Sequence, residues 1–405
     1  MDQKKICFLQ YDLRGGGAER KVCTLANYFV KQECSVEIAL FGRRTQAYQL
    51  EDQVKVVFIN RESYEYHSWV EKAGYHFFSW AVCVLSASIK IFSKRAGEKF
   101  QKHFQKKGQY TQPIKRYIFN RPNAVFITMM AQHYIEVMSI LEKDIQSHRF
   151  HIPYIVMECN NPRPGLDATA RVDSLRNKYY PMATKCVMMT AGAKSYFLPE
   201  IQRKSVIIPN PTRDDLPCPY YGKRRKTIIT YCRLNRQKNL PLLIVSFAAF
   251  HRLHSDYHME IYGEGEEKDA LNALIAENGI EGCAHIYPFD PQLHQKIRDC
   301  AMFVSSSDWE GFPNSVLEAL ALGMPVISTD CDFGPRDMIT DHVNGLLTPV
   351  GDAQALTDAM LEVAENPELA EALGRNAVKV REEYAPEKIG RQWLDLIEEV
   401  KKEYM

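Results

Sequence analysis

Two carboxylates and two cations stand out as residues able to do chemistry together. Glu310 and Glu318 lie in SSSDWEGFPNSVLEALALGMPVISTD, in the spacing E-x7-E, with a turn-rich Gly-Phe-Pro-Asn between them. Val316, Leu317, Leu320 and Leu322 recur as the apolar side of a short buried helix, Gly323 supplies its stop, and Pro325 to Thr329 reads as a strand. Glu310 is therefore expected on the loop before a helix and Glu318 in that helix's first turn. Free backbone N–H groups and the positive end of the dipole there suit an anion such as a diphosphate. A second reading stands beside it: Ser315-x-x-Glu318 is a capping box that only stabilises the helix. Arg233 and Lys238 lie in RLNRQKN, directly after a strand-like run. Arginine grips phosphate oxygens with two bonds and lysine acts as a point charge. Taken alone, that loop also reads as a solvated basic turn, with Arg236 facing water.

Elements able to position these residues recur along the chain. A strand over 5–10 runs into Gly15-Gly16-Gly17 and a helix from 18 to about 31, the opening of a nucleotide-type βαβ unit. Strand-like runs follow at 36–41, 54–59, 124–128, 154–158, 187–190 and 206–208, with a helix over about 134–142. The run 154–158 enters Asn160-Asn161-Pro162, a loop at the strand's carboxyl end, where open α/β sheets place ligands. Residues 212–226 (TRDDLPCPYYGKRRK) lack periodicity and read as a linker. A second series of strands is expected at 227–231, 259–262, 285–287 and 302–305, with helices near 240–252 and up to about 276. Ile389, Trp393, Leu396 and Ile397 mark a last helix. The fold class is α/β, with Rossmann-like halves at 1–211 and 227–384 and a terminal helix within 385–405.

Composition narrows the function classes. With 25% charged residues and a net charge of +1, nothing global points to nucleic acid. The 11 cysteines are scattered and form no C-x-x-C pair, which argues for reduced thiols in the cytoplasm over a disulfide framework or a zinc site. Lys4-Lys5 before ICFL looks like the start of a signal peptide, but the apolar run ends by Asp12. No stretch offers the ~18 uninterrupted apolar residues of a spanning helix. Residues 61–120 depart from compact Rossmann spacing. There Phe78, Val82, Leu85, Ile89 and Phe92 form a helical stripe, joined by Lys90, Lys94, Arg95, Lys99, Lys102, Lys106 and Lys107. The segment 78–107 reads either as an anionic-membrane-binding helix, which would make the protein peripheral, or as a helix packed on the N-terminal domain with its charges solvated.

EGFPNSVLEALALGMPVISTD, with GPRDMI and NGLL downstream, closely resembles the E-x7-E signature of family 4 retaining glycosyltransferases with the GT-B fold. The resemblance is strongest from about 227 to 393. It implies two Rossmann-like domains facing a cleft, with the terminal helix crossing back to the N-terminal domain. It also implies a nucleotide-sugar donor on the second domain, Glu310 beside the donor sugar and Glu318 on the ribose. Phe312, Asn314 and Ser315 are assigned to the same donor site. Arg233-x4-Lys238 resembles the family's G-R-x4-K loop, with Cys232 in place of the usual glycine. In the family such cations stabilise the leaving diphosphate, so no metal or cofactor is expected, and Asp330-Cys331-Asp332 is read as turn chemistry before Gly334-Pro335. Gly16 and Gly17 resemble a GGAE-type loop near the donor phosphates. ECNNP resembles the SERNDP segment of a subgroup that often handles amino sugars, with Cys159 where arginine is usual. Asn160 and His133 are candidates for the acceptor side, His133 also reading as a surface or helix-capping residue.

The resemblance therefore implies transfer of a sugar from a nucleotide donor, UDP-linked hexose or N-acetylhexosamine, to a lipid-linked or envelope glycan. Retention in this family is usually ascribed to front-face attack, the departing phosphate taking the acceptor's proton. Two alternatives remain: a GT-B nucleotide-sugar epimerase or hydrolase, and a non-catalytic nucleotide-sugar-binding scaffold.

Overall fold

In the computed structural model the described residues are 5–14, 16–42, 47–59, 113–147, 152–163 and 169–404. The segment 78–107 lies outside them. Among these residues thirteen strands form two sheets, and every strand pairing described in them is parallel. The first holds β1 (Lys5–Gln10), β2 (Ser35–Leu40), β3 (Lys55–Phe58), β4 (Ala124–Thr128), β5 (Tyr154–Glu158), β6 (Lys185–Met188) and β7 (Ser205–Ile207), in the order β3-β2-β1-β4-β5-β6-β7. The second holds β8 (Arg225–Tyr231), β9 (His258–Tyr262), β10 (Ala284–Tyr287), β11 (Cys300–Ser305), β12 (Val326–Thr329) and β13 (Leu346–Thr348), ordered β10-β9-β8-β11-β12-β13. Each order reverses direction once, between β1 and β4 and between β8 and β11. Carboxyl-end loops diverge at such a point and leave a crevice for a ligand.

The chain divides into two compact units. One comprises Met1–Met157, Ala170–Cys186 and Leu396–Met405, the other Glu158–Thr169 and Val187–Asp395. The second unit thus begins ahead of residue 211 and takes in the loop after β5. Within the first unit, β1, β4 and β5 are almost wholly buried, as near-continuous apolar runs require when a parallel sheet is covered on both faces. The helix Gly17–Lys31 buries Val22, Leu25, Ala26 and Phe29, and the Phe8 and Phe29 rings stack at 6.1 Å. A helical stretch at 113–119 carries Tyr117, whose hydroxyl donates to Glu37 on β2 at 2.9 Å, and Arg121 Nε reaches the same oxygen at 2.8 Å. The end of the last helix, Pro386–Lys402, groups here: Lys185 pairs with Glu399 at 2.6 Å and with Glu403 at 2.9 Å.

In the second unit, the helix Leu240–His251 is apolar nearly all round. It packs Leu243, Ile244, Phe247 and Phe250 into one core with Met360 and Val363 of the helix Ala353–Glu365. Residues 212–226, read as a linker, are anchored to this unit. Arg224 donates to the carbonyls of Tyr220, Gly323, Arg298 and Cys300, and β8 already begins at Arg225. Among the described residues, no helix is long and apolar enough to cross a membrane.

Candidate active site

The loops after β8 and β11 flank the reversal point of the second sheet, and they carry Arg233, Lys238 and Glu310. Three contacts lock the loops together. Asp308 N donates to Gln237 O at 2.9 Å, Ser306 Oγ to Lys238 O at 2.8 Å, and Asn239 Nδ2 to Asp308 Oδ1 at 2.7 Å. Asn239 has φ +41°, a left-handed conformation that asparagine tolerates, and its Oδ1 accepts from Leu242 N as the helix cap. One residue therefore turns the chain out of the loop, starts the helix and ties down the facing loop.

Glu310 is buried, and donors meet both of its oxygens. Lys238 Nζ lies 2.5 Å from Oε1, Ser307 Oγ donates to Oε1 at 2.7 Å, and Gln237 Nε2 donates to Oε2 at 3.2 Å. Gln237 also holds Trp309 O at 2.8 Å. Lys238, expected to face a phosphate, thus neutralises the carboxylate, while Arg233 and Arg236 are exposed. The thiols of Cys232 and Cys331, which sense the charges of this pair, are each pushed up to about 12 by burial, so neither is a nucleophile at neutral pH.

The helix after this loop is Asn314–Ala321 with Pro313 at its N-cap and no side-chain cap. This corrects two expectations. Ser315 lies inside the helix, so Ser315-x-x-Glu318 forms no capping box, and Glu318 falls just past the first turn. Proline at 313 sets the start, which puts Ser315 two residues beyond the cap. Glu318 is buried and bonded to His294, Nε2 to Oε2 3.0 Å, and Tyr231 Oη donates to Ser315 O at 3.0 Å. Asn314 Oδ1 accepts from Asn210 Nδ2 at 2.8 Å, and the buried Phe312 ring lies 5.8 Å from that of Tyr384.

Asn160 joins this site. A Cβ on Gly311 would stand 2.7 Å from the Asn160 carbonyl carbon, so only glycine allows the two backbones to approach so closely. Asn160, Asn161, Arg163, Gln237, Trp309 and Glu310 line a cavity of about 250 Å³. The two aspartates of the Asp-Cys-Asp run are each held by an arginine: Arg163 NH1 to Asp332 Oδ2 at 2.7 Å, and Arg336 Nε to Asp330 Oδ1 at 2.5 Å. Among the described residues, no group of three His, Cys, Asp or Glu is placed to hold a metal ion.

Gly16, Gly17 and His133 belong to the first unit. Gly16 has extended backbone, φ −175°, and caps the helix Gly17–Lys31. His133 is neither on the surface nor a cap, which corrects that expectation. The helix Ala131–Gln146 starts after Met130, and this register buries the ring against Tyr11 and Phe41, with Nδ1 3.4 Å from Gln10 Oε1. These residues follow β1, β2 and β4, at the reversal point of the first sheet.

Ser307, Gln237, Asn239, Tyr231 and His294 went unassigned in the sequence reading. The SSSDWEG and RQKN strings held the first three, but nothing local marks His294. Its helix, Leu293–Ile297, is too short to show a period.

Comparison with known proteins finds relatives for the second unit in sequence and for the fold in structure. Residues 221–380 match the family Glycosyl transferases group 1. The match covers the end of the linker, the loop bearing Arg233 and Lys238, and both glutamates. Over 156 residues the chain is 34% identical to the N-acetylgalactosamine-N,N'-diacetylbacillosaminyl-diphospho-undecaprenol 4-alpha-N-acetylgalactosaminyltransferase of Campylobacter jejuni, covering 38% of this chain and 42% of that one. The matches span 36% to 48% of the length of four of the curated relatives. Two solved structures align over nearly the whole chain. TarM of Staphylococcus aureus, in complex with fondaparinux, alpha-GlcNAc-glycerol and UDP, gives a TM-score of 0.72 at 14% identity, covering 98% of this chain and 100% of that one. HepE of Anabaena, in complex with UDP, gives 0.72 at 15% identity over 98% and 100%. Both are glycosyltransferase folds of the GT-B type, and two Rossmann-like parallel-sheet domains make this fold the same.

Proposed function

We propose that this protein is a retaining glycosyltransferase that moves a sugar from a UDP-linked hexose or N-acetylhexosamine to a lipid-linked or polymeric envelope glycan. The observation that carries the reading is the Lys238–Glu310 pair at the sheet's reversal point, within the matched group 1 domain and beside a sugar-sized cavity. Arg233 and Lys238 bind the diphosphate and stabilise its charge as the glycosidic bond breaks, the work of preorganised donors in a transition state. Glu310, already fixed by Ser307 and Gln237, accepts hydrogen bonds from the donor sugar in the cavity lined by Asn160 and Trp309. Glu318 accepts from the ribose hydroxyls. The leaving phosphate takes the acceptor hydroxyl's proton, so the new bond forms on the face the diphosphate leaves and configuration is retained. Phe312, Asn314 and Ser315 shape the helix entrance beneath the diphosphate, Gly16 and Gly17 approach the phosphates, and His133 serves the acceptor side. No metal takes part.

UDP support comes from two fold neighbours solved with that nucleotide, and the amino-sugar and lipid-linked readings from the name of the Campylobacter relative. A panel of nucleotide sugars assayed for nucleoside diphosphate release, with and without a polyprenyl-diphosphate-linked glycan, tests the proposal. Acceptor-dependent UDP release supports it. Acceptor-independent release favours a hydrolase, and none with any donor favours a binding scaffold.

A further inference from the structure

Glu318 is held by a residue that nothing in the motif announces. The short helix Leu293–Ile297 places His294 against the helix Asn314–Ala321, with Nε2 3.0 Å from Glu318 Oε2. Glu318 is buried and His294 largely so, their side chains 6% and 12% exposed, so the bond is mostly shielded from water. The imidazole is itself fixed. Tyr231 stands edge-on to it at 5.5 Å and 87°, and the Tyr231 hydroxyl is tied to Ser315 O, one turn before Glu318. On the linker side lies the pair Arg213–Asp215, joined by two bonds at 2.7 and 2.6 Å. The pair senses the site: Asp215 chiefly, and then Glu318, holds the Arg213 guanidinium above its usual range, and Asp215 is lowered chiefly by Arg213 and in part by His294.

We infer that His294 is a positioning residue whose bond to Glu318 sets the enzyme's preference for a ribonucleotide over a nucleotide lacking ribose hydroxyls. This rests on the reading that Glu318 binds the ribose. A glutamate side chain loses rotamer freedom on being ordered. Where His294 has already ordered the carboxylate, the ligand's hydroxyls need not do so, and they meet an acceptor in place. A hydroxyl-reading site rejects the analogue that lacks the hydroxyl, because its own buried group is left unpaired. That rejection depends on the carboxylate staying where it is.

The test is calorimetric binding of UDP and of its 2′,3′-dideoxy analogue to the full chain and to His294→Ala, His294→Gln, Glu318→Gln and the Ala/Gln double variant. Wild type should favour UDP. His294→Ala should weaken UDP about tenfold, the scale of one charge-assisted hydrogen bond, and leave the dideoxy analogue unchanged. His294→Gln, whose amide nitrogen reaches as Nε2 does, should restore most of the preference, and the double variant should be no worse than Glu318→Gln alone. If the alanine variant does not fold, His294→Asn carries the same expectation, because its amide is too short to reach. Equal weakening of both ligands, or no change in either, overturns the role of His294. A separate result, Glu318→Gln keeping the full preference for UDP, overturns the ribose reading of Glu318 itself.

Discussion

Lys238 and Glu310, 72 residues apart in sequence, form a 2.5 Å ion pair that closes the loops after β8 and β11 on each other. Under the proposed function, a diphosphate at this site would compete with a carboxylate for the ammonium, while the exposed Arg233 would take the phosphate directly. Removing either cation should lower turnover by about 10²-fold or more, as loss of a preorganised transition-state donor does. Stability should separate them. Arg233→Ala should leave the melting temperature unchanged, whereas Lys238→Ala leaves a buried carboxylate short of a donor and should lower it. Turnover near wild type for both variants at saturating donor would remove the loop from the mechanism.

The glutamates should separate in kinetics. Glu310 lines the cavity that the proposed function gives to the donor sugar, so Glu310→Gln should chiefly lower kcat. Glu318 lies on the helix Asn314–Ala321, bonded to His294 of the separate helix Leu293–Ile297, and under the proposed function it meets the ribose, so Glu318→Gln should chiefly raise the donor KM. Steady-state kinetics on both variants decides the matter, and identical changes in KM and kcat would contradict two separate roles.

Much of this arrangement is legible in the residues, for physical reasons. The runs 5–10, 124–128 and 154–158 coincide with β1, β4 and β5, because strands buried on both faces are apolar without interruption. The loops bearing Arg233 and Glu310 follow directly from the strands before them. What local pattern cannot give is register and partner. Ser315-x-x-Glu318 matches a capping box only if Ser315 is the cap, and Pro313 starts the helix earlier. His133 looks like a surface residue until the start at Ala131 turns it onto Tyr11 and Phe41. Lys238 and His294, which hold Glu310 and Glu318, lie 72 and 24 residues away and meet them only in the folded chain. β13 is only Leu346–Thr348, too short for its alternation to stand out.

Activity should persist in excess chelator. Asp330 and Asp332 imitate a metal-binding pair in sequence, but each carboxylate is already bonded to an arginine, Arg336 and Arg163 respectively. Turnover measured with EDTA should match turnover without it. Loss in EDTA with recovery on adding Mn²⁺ or Mg²⁺ would instead make these aspartates ligands that exchange arginine for metal.

The first unit offers a test of stability against pH through Glu37. Burial on β2 works to raise this carboxyl, but bonds from Arg121 and Tyr117, with the charge of Lys5 nearby, outweigh it, and the group lies below its usual range. A carboxyl depressed in the folded state binds protons less readily there than in the unfolded chain. Its contribution is therefore complete above the unfolded carboxylate pKa of about 4.3 and is lost as the pH falls through the lower folded value. Glu37→Gln removes the charge and should cost roughly 1–3 kcal/mol at pH 7, the range for hydrogen bonds to a charged group and for leaving a buried donor unmatched. On acidification the wild type should lose this advantage, so the gap in melting temperature between the two proteins should be widest at neutral pH and shrink towards pH 3. Because the bonds are short and largely buried, salt should alter the gap little. A gap of constant size across the pH range would mean that Glu37 contributes through shape alone and that its ion pair with Arg121 adds nothing.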